Sequence, residues 1–135
     1  MPTSSQAHKM TPYRVLIVED QPDIRKLIRM TLEFGQFEIH EARDGEQGLS
    51  MARAVMPAVV LLDVMMPGVL DGYQVCQRIK EDPALRSIRV ILLTARGQAT
   101  DIGTGEAAGA DAYLIKPFSP LELIERVELM ASAAR

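Results

Sequence analysis

The 135-residue chain has no tryptophan, one cysteine, and only three tyrosines and three phenylalanines. A lone Cys76 excludes an intrachain disulfide, so the core alone must hold the fold, and a single thiol suits a reducing compartment. Charge of one sign is also scarce. Fifteen basic residues against 18 acidic ones leave a net charge of −3, which gives no electrostatic footprint for direct nucleic-acid binding or for an anionic membrane. Long hydrophobic runs are missing too. The longest, Ala58 to Leu62, is far too short to span a bilayer. The opening MPTSSQAHKMTP lacks the apolar segment of a secretory signal. The expectation is a cytoplasmic protein with residues 1–12 as a mobile leader and one compact domain over 13–132.

What the chain does have is alternation. Short apolar runs, Tyr13–Val18, Phe37–Glu41, Ala58–Leu62, Arg89–Leu93 and Ala112–Ile115, read as strands. Amphipathic stretches follow each of them. Pro22 sits in the first turn of a helix with Asp20 or Gln21 as its cap and Gly35 as its C-terminal stop. Further helices are expected from Asp44 to about Val55, from Asp71 to Glu81, over about 98–108, and from about Pro120 to Ala131. The helix over 98–108 is weakened by interior glycines, each costing about 1 kcal/mol against alanine. It is either a frayed surface helix or a segment built to rearrange. Five strand–helix pairs predict a parallel sheet with helices on both faces, doubly wound.

Polar residues interrupt the apolar strands at telling places. The first strand stops at Glu19-Asp20, the third at Asp63, the fourth at Thr94 and the fifth at Lys116. In a parallel sheet these ends share one edge, where ligands of open α/β folds bind. Three converging carboxylates repel one another, and one lysine offsets them only in part. A hard divalent cation such as Mg²⁺ complements them. A carboxylate surrounded by such a cation, an ammonium and a hydroxyl suits phosphoryl transfer, with the carboxylate as acceptor. Each residue alone has a plainer reading: Asp63 as a turn residue, Thr94 as a cap, Lys116 as a surface charge, Tyr113 as a half-buried strand residue. His8 and His40 have no partner at metal-ligand spacing, and Cys76 reads as core.

The motifs VLIVED (15–20), LLDVMMPG (61–68), DGYQVCQRIK (71–80), ILLTA (91–95) and GADAYLIKPF (109–118), in that order, resemble the response-regulator receiver domain of the chemotaxis-regulator type. The resemblance covers about residues 13–132. It implies a flavodoxin-like sheet of order 2-1-3-4-5 with five helices. It implies Asp63 as phospho-acceptor, and Mg²⁺ held by Glu19, Asp20, Asp63 and the backbone carbonyl of Met65. Thr94 and Lys116 would contact phosphoryl oxygens, and Tyr113 would be the aromatic switch that follows Thr94. Met65 and Arg96 would tune the phosphoryl lifetime, and Lys116–Pro117 would be cis. The implied donor is a histidine kinase or a histidine-phosphotransfer protein. The implied output is a reshaped surface over 98–108, the fifth strand and the last helix, read by an unidentified protein. Catalysis would be confined to the domain's own phosphorylation and dephosphorylation, and the chain would be a monomer or weak dimer.

Two departures stand out. Glu19 replaces the usual aspartate, one methylene longer. The loop Met66–Gly72 is one residue longer than the family's usual Met-Pro-x-x-Asp-Gly. Two other classes stay in view. An aspartyl phosphatase commonly carries a second acid where Met65 stands and needs a substrate cap. A receiver-like interaction module would not need Asp20, Asp63, Thr94 and Lys116 together. A chain ending here would act through protein contact, and a chain cut from a longer one would have its output elsewhere.

Overall fold

The computed structural model describes residues 12–66, 68–95 and 107–133. The elements are β1 (Tyr13–Val18), α1 (Pro22–Leu32), β2 (Phe37–Ala42), α2 (Gly45–Val55), β3 (Val59–Asp63), α3 (Gly72–Glu81), β4 (Arg89–Ala95), β5 (Ala112–Lys116) and α4 (Pro120–Ala133). The five strands form one sheet in the order β2-β1-β3-β4-β5, and every neighbouring pair is parallel. This is the expected order. Four helices are present among the described residues rather than five. The helix expected over 98–108 falls mostly outside the described residues; its described part, Ala107 and Ala108, is helical.

Side chains alternate across the pleat. Val15, Ile17, Val59, Leu61, Ile91 and Leu93 pack with Ile28 and Leu32 of α1 and Leu123 and Val127 of α4. Leu16, Val18, Val60, Leu62, Val90 and Leu92 pack on the other face with Leu49 and Ala52 of α2 and Val75, Cys76 and Ile79 of α3. Each buried Leu, Ile or Val contributes about 1.5–3 kcal/mol, which is why no disulfide is needed. Burial also pushes the Cys76 thiol up to about 12, which makes it a poor nucleophile.

Local chemistry starts and stops the helices. Asp44 and Asp71 each accept an N-terminal N–H, from Gln47 and Gln74, and Gln74 completes a capping box on Asp71. Pro22 opens α1 behind Gln21, whose side chain makes no capping bond. Gly35 does not stop that helix. Leu32 is its last residue and Glu33 its cap in right-handed conformation, while the Gly35 N–H tightens the exit onto the Leu32 carbonyl. α2 ends instead on Met56, in the left-handed region at φ 51°.

The N-terminal end of the sheet is tied by ions. Asp111, at the start of β5, accepts from the Val90 N–H at 2.8 Å and pairs with Lys80 at 2.7 Å and Arg89 at 3.3 Å. Lys80 also donates to the Ile88 carbonyl at 2.7 Å. Asp111 is thus satisfied on both oxygens, and α3, β4 and β5 are joined through it.

Candidate functional site

The C-terminal edge of the sheet is built differently. β1 runs out at Val18, so Glu19 and Asp20 stand where the chain turns into α1. β3 ends at Asp63, one strand over in the sheet. Ligand oxygens of Glu19, Asp20 and Asp63 all lie within 4.8 Å of one another. Glu19 is fully buried and Asp63 nearly so. Lys116, at the end of β5, brings its Nζ to 3.4 Å from Asp63 Oδ1 and 3.7 Å from Glu19 Oε1. The Lys116–Pro117 peptide is cis. These four residues thus meet at one edge of the sheet.

The remaining expected residues take different places. Thr94 is buried and sits one residue beyond Leu93, the register partner of Asp63. Met65 donates its main-chain N–H to Asp63 Oδ1 at 3.1 Å, while its side chain faces solvent at 67% exposure. Tyr113 pairs with Leu92 and packs, half-buried, against the core on the α2 and α3 side. It is three residues before Lys116 and is not part of the acidic cluster. Arg96 lies outside the described residues.

The electrostatics of the cluster ask for more positive charge than it holds. Glu19 Oε2 accepts the Gln21 N–H at 3.1 Å. Among the described residues, Glu19 Oε1 and Asp20 Oδ1 are buried with no hydrogen-bond donor. Such groups are costly to bury unless a cation or donor meets them. Burial pushes the Glu19 carboxyl up to about 7; the Gln21 N–H opposes the shift, and the Asp63 charge adds to it. Three carboxylates, with Glu19 Oε1 facing Lys116 at 3.7 Å and accepting no hydrogen bond, fit a hard divalent cation, which would restore full ionisation.

This has a measurable consequence in the metal-free protein. A carboxyl raised from 4.5 to about 7 on folding makes the folded state bind more protons than the unfolded one between those values. Stability therefore falls as pH rises through that window. In EDTA, the thermal midpoint is expected to be lower at pH 8 than at pH 5.5. Glu19→Gln should flatten that difference, and an unchanged pH dependence in the variant would exclude Glu19 as its source.

Two features of the site were not read from sequence. Gly72 was noted only as part of a motif, yet a Cβ there would collide with the Asp63 carbonyl and sit 2.6 Å from the Val64 Cα. Arg25 was given no role, yet it reaches the Glu19 carbonyl. Both act on main-chain atoms of distant residues, which a side-chain pattern does not display. The longer loop after Asp63 is anchored in the core by Met66 and Leu70, both buried, and its tip is exposed. Gly68 there has φ +110° with open space around it, and Val69 is exposed.

Comparison with known proteins agrees with this geometry. Residues 15–128 match the family model of the response regulator receiver domain. The chain is 40% identical over 117 residues to the DNA-binding dual master transcriptional regulator RpaA of Synechocystis, covering 87% of this chain and 48% of that protein. It is 41% identical over 116 residues to the transcriptional regulatory protein SrrA of Staphylococcus aureus, covering 86% and 46%. Among solved structures, the signal receiver domain of a signal transduction histidine kinase from Syntrophus aciditrophicus superposes with a TM-score of 0.83 at 31% identity, covering 90% of this chain and 91% of that one. Chemotaxis protein CheY4 of Vibrio cholerae does so with 0.81 at 28%, covering 88% and 98%. The chain belongs to the response-regulator receiver family. It spans about half the length of the curated relatives it matches. Receivers are phospho-acceptors of two-component systems and not enzymes with a separate substrate pool. No helix among the described residues is long and apolar enough to cross a membrane.

Proposed function

We propose that this domain accepts a phosphoryl group on Asp63 from a histidine kinase or a histidine-phosphotransfer protein. The observation that carries the reading is the convergence of three acidic side chains and Lys116 at one sheet edge, with buried carboxylate oxygens left without donors. Glu19, Asp20 and Asp63 would hold Mg²⁺, with the Met65 carbonyl completing the protein's share. When bound, that ion neutralises the oxygens of the transferred group. An Asp63 oxygen attacks phosphorus as the bond to the donor's imidazole nitrogen breaks, leaving an acyl phosphate. Lys116, already 3.4 Å from Asp63, meets one phosphoryl oxygen. The Thr94 hydroxyl meets another, and Tyr113 follows Thr94 inward. The surface formed by residues 98–108, β5 and α4 then changes its affinity for a downstream protein. A cytoplasmic location belongs to the same reading.

The domain is incubated with acetyl phosphate and Mg²⁺ and its intact mass is measured. One phosphoryl adduct per chain is expected, and it should disappear in EDTA. No adduct under any Mg²⁺ concentration would overturn the proposal.

The protein donor's approach is supported by a second observation. An apolar groove of about 320 Å³ runs between α1 and the β5–α4 connection. Ile24, Leu27, Ile28, Pro117, Phe118 and Lys116 line it. Since Lys116 belongs to both groove and site, the groove adjoins the acidic cluster, and we infer that a helix of the protein donor seats there. Leu27 is 63% exposed, so Leu27→Asp leaves the core intact. It is expected to slow phosphotransfer from a protein donor at least tenfold, roughly 1.4 kcal/mol of transition-state binding, while uptake from acetyl phosphate stays unchanged. Equal slowing with both donors would reject the groove.

A further inference from the structure

The acidic pair stands where β1 gives way to α1, and the main chain there needs support. The Glu19 N–H donates to the Ala42 carbonyl of β2 at 3.1 Å. The Glu19 carbonyl lies past the end of the ladder, in a residue with no exposed surface, and a buried carbonyl needs a donor. Arg25, one turn into α1, supplies it. Its Nη1 donates to that carbonyl at 2.8 Å. Its Nε donates to Glu41 Oε1 at 3.1 Å. Glu41 is held in turn by Arg29 Nη1, which donates to Oε2 at 2.7 Å. The Arg25 side chain is 19% exposed and Glu41 32%, so these charge-assisted bonds are partly shielded from water.

We propose that Arg25 is a positioning residue of the acidic site. Braced by Glu41, it holds the Glu19 carbonyl and so fixes the strand-to-helix turn from which Glu19 and Asp20 reach Asp63. The inference rests on the reading of that cluster as a Mg²⁺ site. Two effects of opposite sign bear on it. Arg25 is a cation close to a cation site, so by Coulomb's law its removal strengthens Mg²⁺ binding. As a brace, its removal lets the turn relax and weakens binding. The sign of the change therefore separates a positioning role from a charge that merely happens to be near.

The test is calorimetric titration of Mg²⁺ into the wild-type chain, Arg25→Met and Arg25→Lys. Methionine retains much of the apolar stem and loses both donors. Its dissociation constant is expected to rise about tenfold, the lower end of what loss of an outer-shell partner costs a metal site. Lysine keeps the charge but not the planar fork that serves two acceptors, so it should restore only part of the affinity. Unchanged or tighter binding by Arg25→Met overturns the inference. If that variant does not fold, the lysine variant decides, because equal charge predicts equal affinity unless geometry matters; wild-type affinity there overturns the inference. Wild-type protein that takes up no Mg²⁺ overturns the metal reading and the inference together. Wild-type uptake with unaltered variants overturns the inference alone.

Discussion

Asp63→Asn is expected to abolish phosphoryl uptake from acetyl phosphate in Mg²⁺, with no adduct in the intact mass. Asparagine preserves the shape and burial of the side chain but offers an amide where the acceptor oxygen is needed. It also removes one of the three negative groups and leaves Lys116 its pair with Glu19, at 3.7 Å. Loss of labelling therefore does not require loss of the fold. Labelling of Asp63→Asn at the wild-type yield would refute the acceptor assignment. The same samples test the aspartyl-phosphatase alternative. Steady release of phosphate from a simple monoester by the wild type would favour it. The place where such an enzyme carries its second acid is here the exposed side chain of Met65.

Gly72→Ala is expected to be the most destabilising single substitution near the site, costing about 3 kcal/mol, the upper range of overpacking, and lowering the thermal midpoint by roughly 10 °C. The reason is space rather than backbone conformation. The added carbon would meet the Asp63 carbonyl and the Val64 Cα, and main-chain atoms cannot step aside as a flexible side chain can. Moving them moves Asp63, so phosphoryl uptake should fall with stability. Gly68→Ala is the control. Its φ of +110° disfavours alanine, but nothing lies within 4 Å, so the cost is strain alone, about 1 kcal/mol, with uptake unaffected. Equal midpoints for the two variants would show that the contact at Gly72 is not limiting.

The legible parts of this protein were those written as patterns along the chain. β3 is a continuous apolar run because both faces of the sheet are covered, and its end at Asp63 is visible because the polarity changes abruptly. The same logic pointed to Glu19, Asp20 and Lys116, since a parallel sheet brings strand ends together without further information. Boundaries were less legible. Gly35 looked like a helix stop, yet α1 ends three residues earlier at Leu32, where the chain tightens by local hydrogen bonds that any residue could make. The left-handed Met56 carried no signal, since methionine is not a residue that favours that conformation. Arg25 and Gly72 were illegible for a different reason. Each meets a main-chain atom, of Glu19 and Asp63 respectively, so nothing about the partner's identity could betray the contact.

The two ends of the sheet are asymmetric in a way that bears on how the domain responds. At one end Asp111 has both oxygens engaged by Lys80, Arg89 and the Val90 amide. At the other, Lys116 is the cation that pairs with Glu19 and Asp63 among the described residues, and Asp20 stands beside them. One footing of the sheet is thus balanced in charge and the other is rich in acid. A cation or a phosphoryl group acts first on the acidic footing, so the response to either should begin as a local event at that rim.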